Sequence, residues 1–191
     1  MFSARRFVVV GAYGVVLETE DGGASWSFVG GRLDNPKELH LNAIRRAGDV
    51  VVIVGEQGLI LRSDDGGRSF RRIKSPYQGS WFSAEVLGDS EMVLMGLRGN
   101  VWSSGDAGKT WRQVHNSMPV TITASARRSD GAVLLANQAG FVLELRDDRV
   151  VEVNPQPVPA LNGLLALDRG SVLGLTVQGA ILVPPQIKKD R

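Results

Sequence analysis

The sequence predicts an all-β fold, a β-propeller of four-stranded antiparallel blades, and three observations support this prediction. Glycines recur at a nearly constant interval along the 191 residues: Gly14, Gly58, Gly99, Gly140 and Gly179 are 44, 41, 41 and 39 residues apart. A period of about forty residues is typical of propeller blades. Each interval holds short β-branched runs between turn residues, and no long segment has helical apolar spacing free of Gly and Pro.

The four strands of one blade can be assigned in the second copy, which is complete. Strands are predicted over 41–46, 51–55, 59–63 and 69–73. Pro76 and Gly79 then interrupt the chain before the next copy opens with a strand over 81–87. Four hairpin-linked strands form one antiparallel blade.

Three copies share one motif, which is G-x-x-G, a short strand, and then [ST]-x-D-x-G-x-[ST]-aromatic. The copies read GAYGVVLETEDGGASW from Gly11, GEQGLILRSDDGGRSF from Gly55 and GLRGNVWSSGDAGKTW from Gly96. A short carboxylate in such a turn accepts hydrogen bonds from backbone N–H groups, and the Gly after it turns the chain. We therefore expect turn-stabilising carboxylates, turn glycines and aromatic residues packed between blades at Asp21, Gly23, Trp26, Asp65, Gly67, Phe70, Asp106, Gly108 and Trp111.

These segments resemble Asp-box (BNR) repeats, and their succession is similar to the β-propeller family of photosystem II assembly and stability factors. The resemblance covers nearly the whole chain. It implies a non-enzymatic, extracytoplasmic protein, in the periplasm or a lumen, that binds a protein or peptide partner during assembly or stabilisation of a complex. It also implies a link to photosynthesis, although the family has many non-photosynthetic members. Family members have seven blades, whereas 191 residues hold about five copies.

The two ends of the repeat array differ from the complete copies. We expect a single propeller domain over 1–191, with units at about 1–36, 37–78, 79–118, 119–158 and 159–191. The first unit lacks its first strand, and the last unit stops at Pro184 without a fourth. Either the chain closes as a five-bladed ring with two thin end blades, or it is part of a longer propeller. The apolar run after Arg6 resembles a secretory signal, but we expect folded structure there because it belongs to the first repeat.

Arginine pairs recur near the connection between the first and second strands of a unit, as Arg5–Arg6, Arg45–Arg46 and Arg127–Arg128. Because antiparallel strands alternate in direction, this connection lies at the same sheet edge as the Asp-box turn. The six arginines are therefore candidates for a face that binds a carboxylate-bearing peptide or protein through bidentate contacts. The alternative is a solvated rim in which the arginines pair with nearby acids and contribute little.

Composition excludes several other functions. The chain has no cysteine, which rules out disulfides and thiolate metal sites. His40 and His115 lack metal-ligand spacing, so neither a metal nor another cofactor is expected. The net charge of +2 argues against nucleic acid. No apolar run is long enough to span a membrane, although the partner can be a membrane protein. Open blade edges allow self-association by strand pairing.

The competing functional class is a glycoside hydrolase, because sialidases also carry Asp boxes. Sialidase chemistry needs a tyrosine nucleophile beside an acid, and neither Tyr13 nor Tyr77 is near a suitable Glu in the sequence. Other hydrolases need two carboxylates about 5–10 Å apart. Glu85 and Asp168 are candidates for a central channel, but nothing in the sequence pairs them. We therefore expect no catalytic residues and no enzyme activity.

Overall fold

A computed structural model describes residues 3–154, 156–167 and 171–183 of the chain. In these ranges the regular structure consists of eighteen β-strands and four three-residue 3-10 turns, which confirms the predicted all-β propeller class. Asp168 and Pro184 lie outside the described residues. In the described part of the chain, no helix is long and apolar enough to cross a membrane.

The strands form five antiparallel sheets, each built from strands that follow one another in the sequence. The first sheet has three strands, β1 (Phe7–Val10), β2 (Val16–Thr19) and β3 (Ser27–Phe28). The second has four, β4 (Leu41–Ala47), β5 (Val50–Gly55), β6 (Ile60–Ser63) and β7 (Arg71–Arg72). These strands match the assignment made from the second repeat to within two residues.

The remaining sheets repeat this order. The third sheet contains β8 (Trp81–Val86), β9 (Met92–Gly96), β10 (Val101–Ser104) and β11 (Arg112–Gln113). The fourth contains β12 (Ile122–Arg127), β13 (Val133–Asn137), β14 (Val142–Arg146) and β15 (Arg149–Glu152). The fifth has three described strands, β16 (Leu161–Ala166), β17 (Val172–Thr176) and β18 (Gly179–Val183).

The described residues divide into two compact units. Unit 1 comprises those up to Leu94 together with Ser103–Arg112, and unit 2 comprises Met95–Trp102 and those from Gln113 on. The third sheet contributes to both units. Unit 1 has a core in which Val16 of the first sheet packs with Ile53 and Leu61 of the second. Unit 2 has a core in which Val142 of the fourth sheet packs with Val172 of the fifth.

The G-x-x-G segments form tight connections between strands. Three of the 3-10 turns lie here, at Ala12–Gly14, Glu56–Gly58 and Leu97–Gly99, and the fourth is Gly30–Arg32. The residue before the second glycine is left-handed although it has a side chain, with φ of 55° at Tyr13, 51° at Gln57 and 56° at Arg98. A non-glycine residue adopts this conformation at a cost of about 1–2 kcal/mol. The surrounding hairpin therefore has to enforce it.

Candidate partner-binding face

Each Asp-box turn is held by one carboxylate and one hydroxyl. Asp65 accepts hydrogen bonds from the hydroxyls of Ser63 and Ser69, both at 2.6 Å, and from the Ser69 N–H at 3.0 Å. The Ser63 Oγ also accepts the Gly67 N–H at 2.8 Å. The same four bonds recur around Asp21 and Asp106. Every polar position of the motif is thus used inside the turn.

These bonds lower the pKa values of the three turn carboxylates. The hydroxyl of Thr110 is the largest influence on Asp106 and, with the Thr110 N–H, it lowers the Asp106 pKa from 3.8 to about 2. Bonds from Ser25 and Thr19 hold the pKa of Asp21 well below its usual range. The carboxylates are ionised at neutral pH and act as hydrogen-bond acceptors.

The aromatic residues of the motif pack less tightly than predicted. Trp111 is half-buried, and its Nε1 donates a hydrogen bond to the carbonyl oxygen of Lys74, in the segment that follows the second sheet, at 3.1 Å. Phe70 is also half-buried and packs against the core of unit 1. The prediction is wrong for Trp26, which is 44% exposed. The reason is that this side of the first sheet is exposed, as Phe28 of β3 also is.

The connection between the first two strands of a blade lies beside the Asp-box turn, as predicted from strand alternation. The Gly22 N–H donates to the Arg5 carbonyl, the Gly66 N–H to the Asp49 carbonyl and the Ala107 N–H to the Ser90 carbonyl, each at 2.8 Å. Arg6 Nη1 also donates to the Gly66 carbonyl at 2.9 Å, so the first arginine pair adjoins the box turn of the second sheet.

In each arginine pair, one side chain is half-buried and bonded to a carboxylate. Arg45 contacts Glu85 at 3.4 Å and donates to the Ser83 hydroxyl at 3.1 Å. Arg128 donates to Asp130 at 2.9 Å and to Glu144 at 3.2 Å. Their partners include strand carboxylates that sequence reasoning did not identify.

The first pair follows the same rule and shows its electrostatic effect. Arg6 Nε donates to Glu18 at 2.5 Å, and Arg32 Nη1 donates to the same carboxylate at 2.6 Å. Burial of Glu18 raises its pKa, but the hydrogen bonds from both arginines outweigh burial and hold the pKa below its usual range. Arg6 therefore supports the sheet by neutralising a buried carboxylate.

The second arginine of each pair is exposed. These residues are Arg5 and Arg46 in unit 1 and Arg127 in unit 2. Arg46 Nε donates to the Gly48 carbonyl at 2.6 Å, which leaves its side chain on the solvent side of the first hairpin of its blade. Of the six candidate arginines, three are thus half-buried beside carboxylates and three have exposed side chains.

Repeat position was a signal for charged strand residues that sequence reasoning missed. Glu18, Arg62 and Glu144 occupy the same place in the third strand of their copies, and in each case a charge stands among apolar strand residues. Arg62 is buried and bonds to Asp64 at 2.6 Å and to the Asp89 carbonyl. A charge at such a position requires a partner. In each case the ionic partner belongs to the same copy: Arg6 and Arg32 for Glu18, Asp64 for Arg62, and Arg128 and Arg146 for Glu144.

Two solved YCF48 structures are similar to the chain. One, described as YCF48 bound to D1 peptide, is 21% identical with a TM-score of 0.75, and the match covers 97% of this chain and 62% of that one. YCF48 from Cyanidioschyzon merolae is 18% identical with a TM-score of 0.70, over 95% and 63% of the two chains. The chain therefore spans less than two thirds of the length of these structures.

A glycoside hydrolase structure shares the fold. The GH74 xyloglucanase from Xanthomonas campestris is 14% identical with a TM-score of 0.69, over 93% of this chain and 34% of that one. At these identities the likenesses show the fold alone. A search of curated protein sequences gave no match. The sequence model of the family named Photosynthesis system II assembly factor YCF48 matches residues 2–147, more than half of the chain, and the chain therefore belongs to this family.

Proposed function

We propose that the chain is a non-catalytic scaffold that binds a carboxylate-bearing peptide or protein through the exposed arginines Arg5, Arg46 and Arg127. Membership of the YCF48 family and the similarity to YCF48 bound to D1 peptide support this proposal. The observation that carries it is the exposure of these three side chains, because an exposed guanidinium is accessible to fork-shaped bonds with an added carboxylate.

The biological setting we propose is assembly or stabilisation of a complex outside the cytoplasm, with a membrane protein as the partner. Family membership supports this setting. Lack of catalysis is part of the same proposal. Glu85, one of the two carboxylates considered for hydrolysis, is buried and bonded to Arg45, which favours a structural role over proton transfer.

Binding of a D1 peptide, measured by isothermal titration calorimetry, tests the proposal. The variant that combines Arg5→Glu, Arg46→Glu and Arg127→Glu should bind at least about tenfold more weakly, because each reversal replaces attraction by repulsion. The paired arginines stay intact, so the urea midpoint should change little. As the matched control, Arg112→Glu reverses an exposed arginine of β11 that belongs to none of the three arginine pairs.

The salt dependence of binding separates this mechanism from apolar docking. Affinity of the unaltered chain should fall as salt rises, because the proposed contacts are between exposed charges. If the triple variant binds as tightly as the Arg112→Glu control, the arginine proposal is wrong. Release of reducing sugar from xyloglucan by the purified chain would contradict the non-catalytic part.

A further inference from the structure

The first sheet exposes an apolar row on one of its two faces. Val9 of β1 pairs with Leu17 of β2, and Leu17 pairs with Phe28 of β3, so the three side chains form a row across one face. Val9 is 50% exposed and Phe28 is 66% exposed. The opposite face, with Val8 and Val16, packs against the second sheet.

The second sheet shows what covers such a row inside the chain. Ile53 and Leu61 occupy the positions of Val9 and Leu17 one repeat later, and both are completely buried. They pack against Val8 and Val16 of the first sheet. Within the chain, a row of this kind is therefore covered by the preceding blade, through the face of that blade that is directed towards the next blade in the sequence.

The fifth sheet exposes a face of that complementary type. Leu165 pairs with Leu173, and Leu173 pairs with Leu182, which gives a second apolar row across three strands. Leu165 is 54% exposed and Leu182 is 62% exposed. The opposite face of this sheet, with Val172 and Val183, packs against the fourth sheet.

We propose that the Val9–Leu17–Phe28 row of one copy packs against the Leu165–Leu173–Leu182 row of a second copy. The contact is head-to-tail, because it joins two different faces, and it repeats the blade-on-blade packing already present within the chain. Burial of apolar surface drives it, at about 25 cal/mol per Å². This contact uses sheet faces, unlike strand pairing between blade edges.

Sedimentation equilibrium of the full chain tests the inference. The unaltered chain should form species heavier than the 20.6 kDa monomer in a concentration-dependent way. Phe28→Glu blocks the first row and Leu182→Glu blocks the second. Each variant alone should be monomeric, with association weakened at least about tenfold, because a carboxylate would be buried without a partner. Val177→Glu is the matched control, since Val177 is 83% exposed in the turn after β17 and belongs to neither row.

Mixing the two blocked variants separates head-to-tail packing from the alternatives. Phe28→Glu keeps an intact second row and Leu182→Glu keeps an intact first row, so the mixture should form a one-to-one dimer that neither variant forms alone. Circular dichroism should show that both variants are folded, since both positions are exposed. A monomeric unaltered chain, association of either single variant, or a monomeric mixture would overturn the inference.

Discussion

The close contact at Gly140 allows the cost of one methyl group to be worked from the structure. Gly140 lies in the connection between β13 and β14 with φ of 83°, and a Cβ added there would overlap the carbonyl oxygen of Val158. The segment that carries Val158 is fixed in place. The Val158 N–H donates to the Gly140 carbonyl at 3.0 Å, and Asn154 Nδ2 donates to the same oxygen at 3.2 Å.

Gly140→Ala should lower the free energy of unfolding through two terms. A left-handed alanine costs about 1 kcal/mol. Removing the overlap requires Val158 to move away and weakens the two hydrogen bonds to the Gly140 carbonyl, at about 1 kcal/mol each. The expected total is about 3 kcal/mol. Gly131→Ala is the matched control, because Gly131 has φ of 91° but no atom within 4 Å of an added Cβ. Gly131→Ala should therefore lower the free energy of unfolding only by the about 1 kcal/mol of the left-handed conformation.

Urea unfolding followed by circular dichroism measures both variants on one scale. The difference between them isolates the overlap from the backbone conformation. Equal free energies of unfolding for the two variants would refute the reasoning, because they would show that the linker moves away from the hairpin at no cost. A changed m-value in Gly140→Ala alone would indicate instead that the native or unfolded ensemble had changed in compactness.

Two further predictions concern charged groups. The folded-state pKa of Asp106 is about 2, below its ordinary 3.8, so its stabilising effect is present above about pH 4 and is lost as pH falls towards 2. Thermal melts should therefore show that the melting temperature of Asp106→Asn falls less steeply over this pH range than that of the unaltered chain. An equal fall in both proteins would contradict the role of the Asp106 hydrogen bonds. Glu85→Gln removes the carboxylate that bonds to Arg45 and should lower the free energy of unfolding in urea by about 1–2 kcal/mol. The exposed control Glu91→Gln should lower it by almost nothing. Equal losses in the two variants would argue against a stabilising Arg45–Glu85 pair.

The periodic features of the fold could be predicted because each copy repeats the same local chemistry. The glycine interval and the β-branched runs located the strands of the second sheet to within two residues. The polar spacing around Asp65 identified a self-contained turn, since all its hydrogen bonds lie within a few residues of one another. Interactions between residues this close in the sequence can be predicted without knowing the structure of the neighbouring blade.

Interactions between blades could not be predicted in the same way. Arg45 and Glu85 are forty residues apart, and only the stacking of the second and third sheets brings them together. The exposure of Trp26 has the same origin, because the motif that contains it is complete but the side of the first sheet beyond it is exposed. A repeat motif specifies what a side chain does within its blade, and the adjoining blade determines whether that side chain is buried.

The Arg45–Arg46 pair shows this dependence on the adjoining blade. A buried strand carboxylate such as Glu85 is costly without a cation, so the fold itself requires Arg45. Successive residues of a strand point to opposite faces, and Arg46 of β4 therefore points away from the carboxylate that engages Arg45. Arg45 thus stabilises the contact between the second and third sheets, and the exposed Arg46 is one of the residues at which we propose that a partner binds. Substitution of the exposed arginine should weaken binding without lowering the free energy of unfolding. Substitution of the paired arginine should lower the free energy of unfolding without weakening the binding of the folded chain.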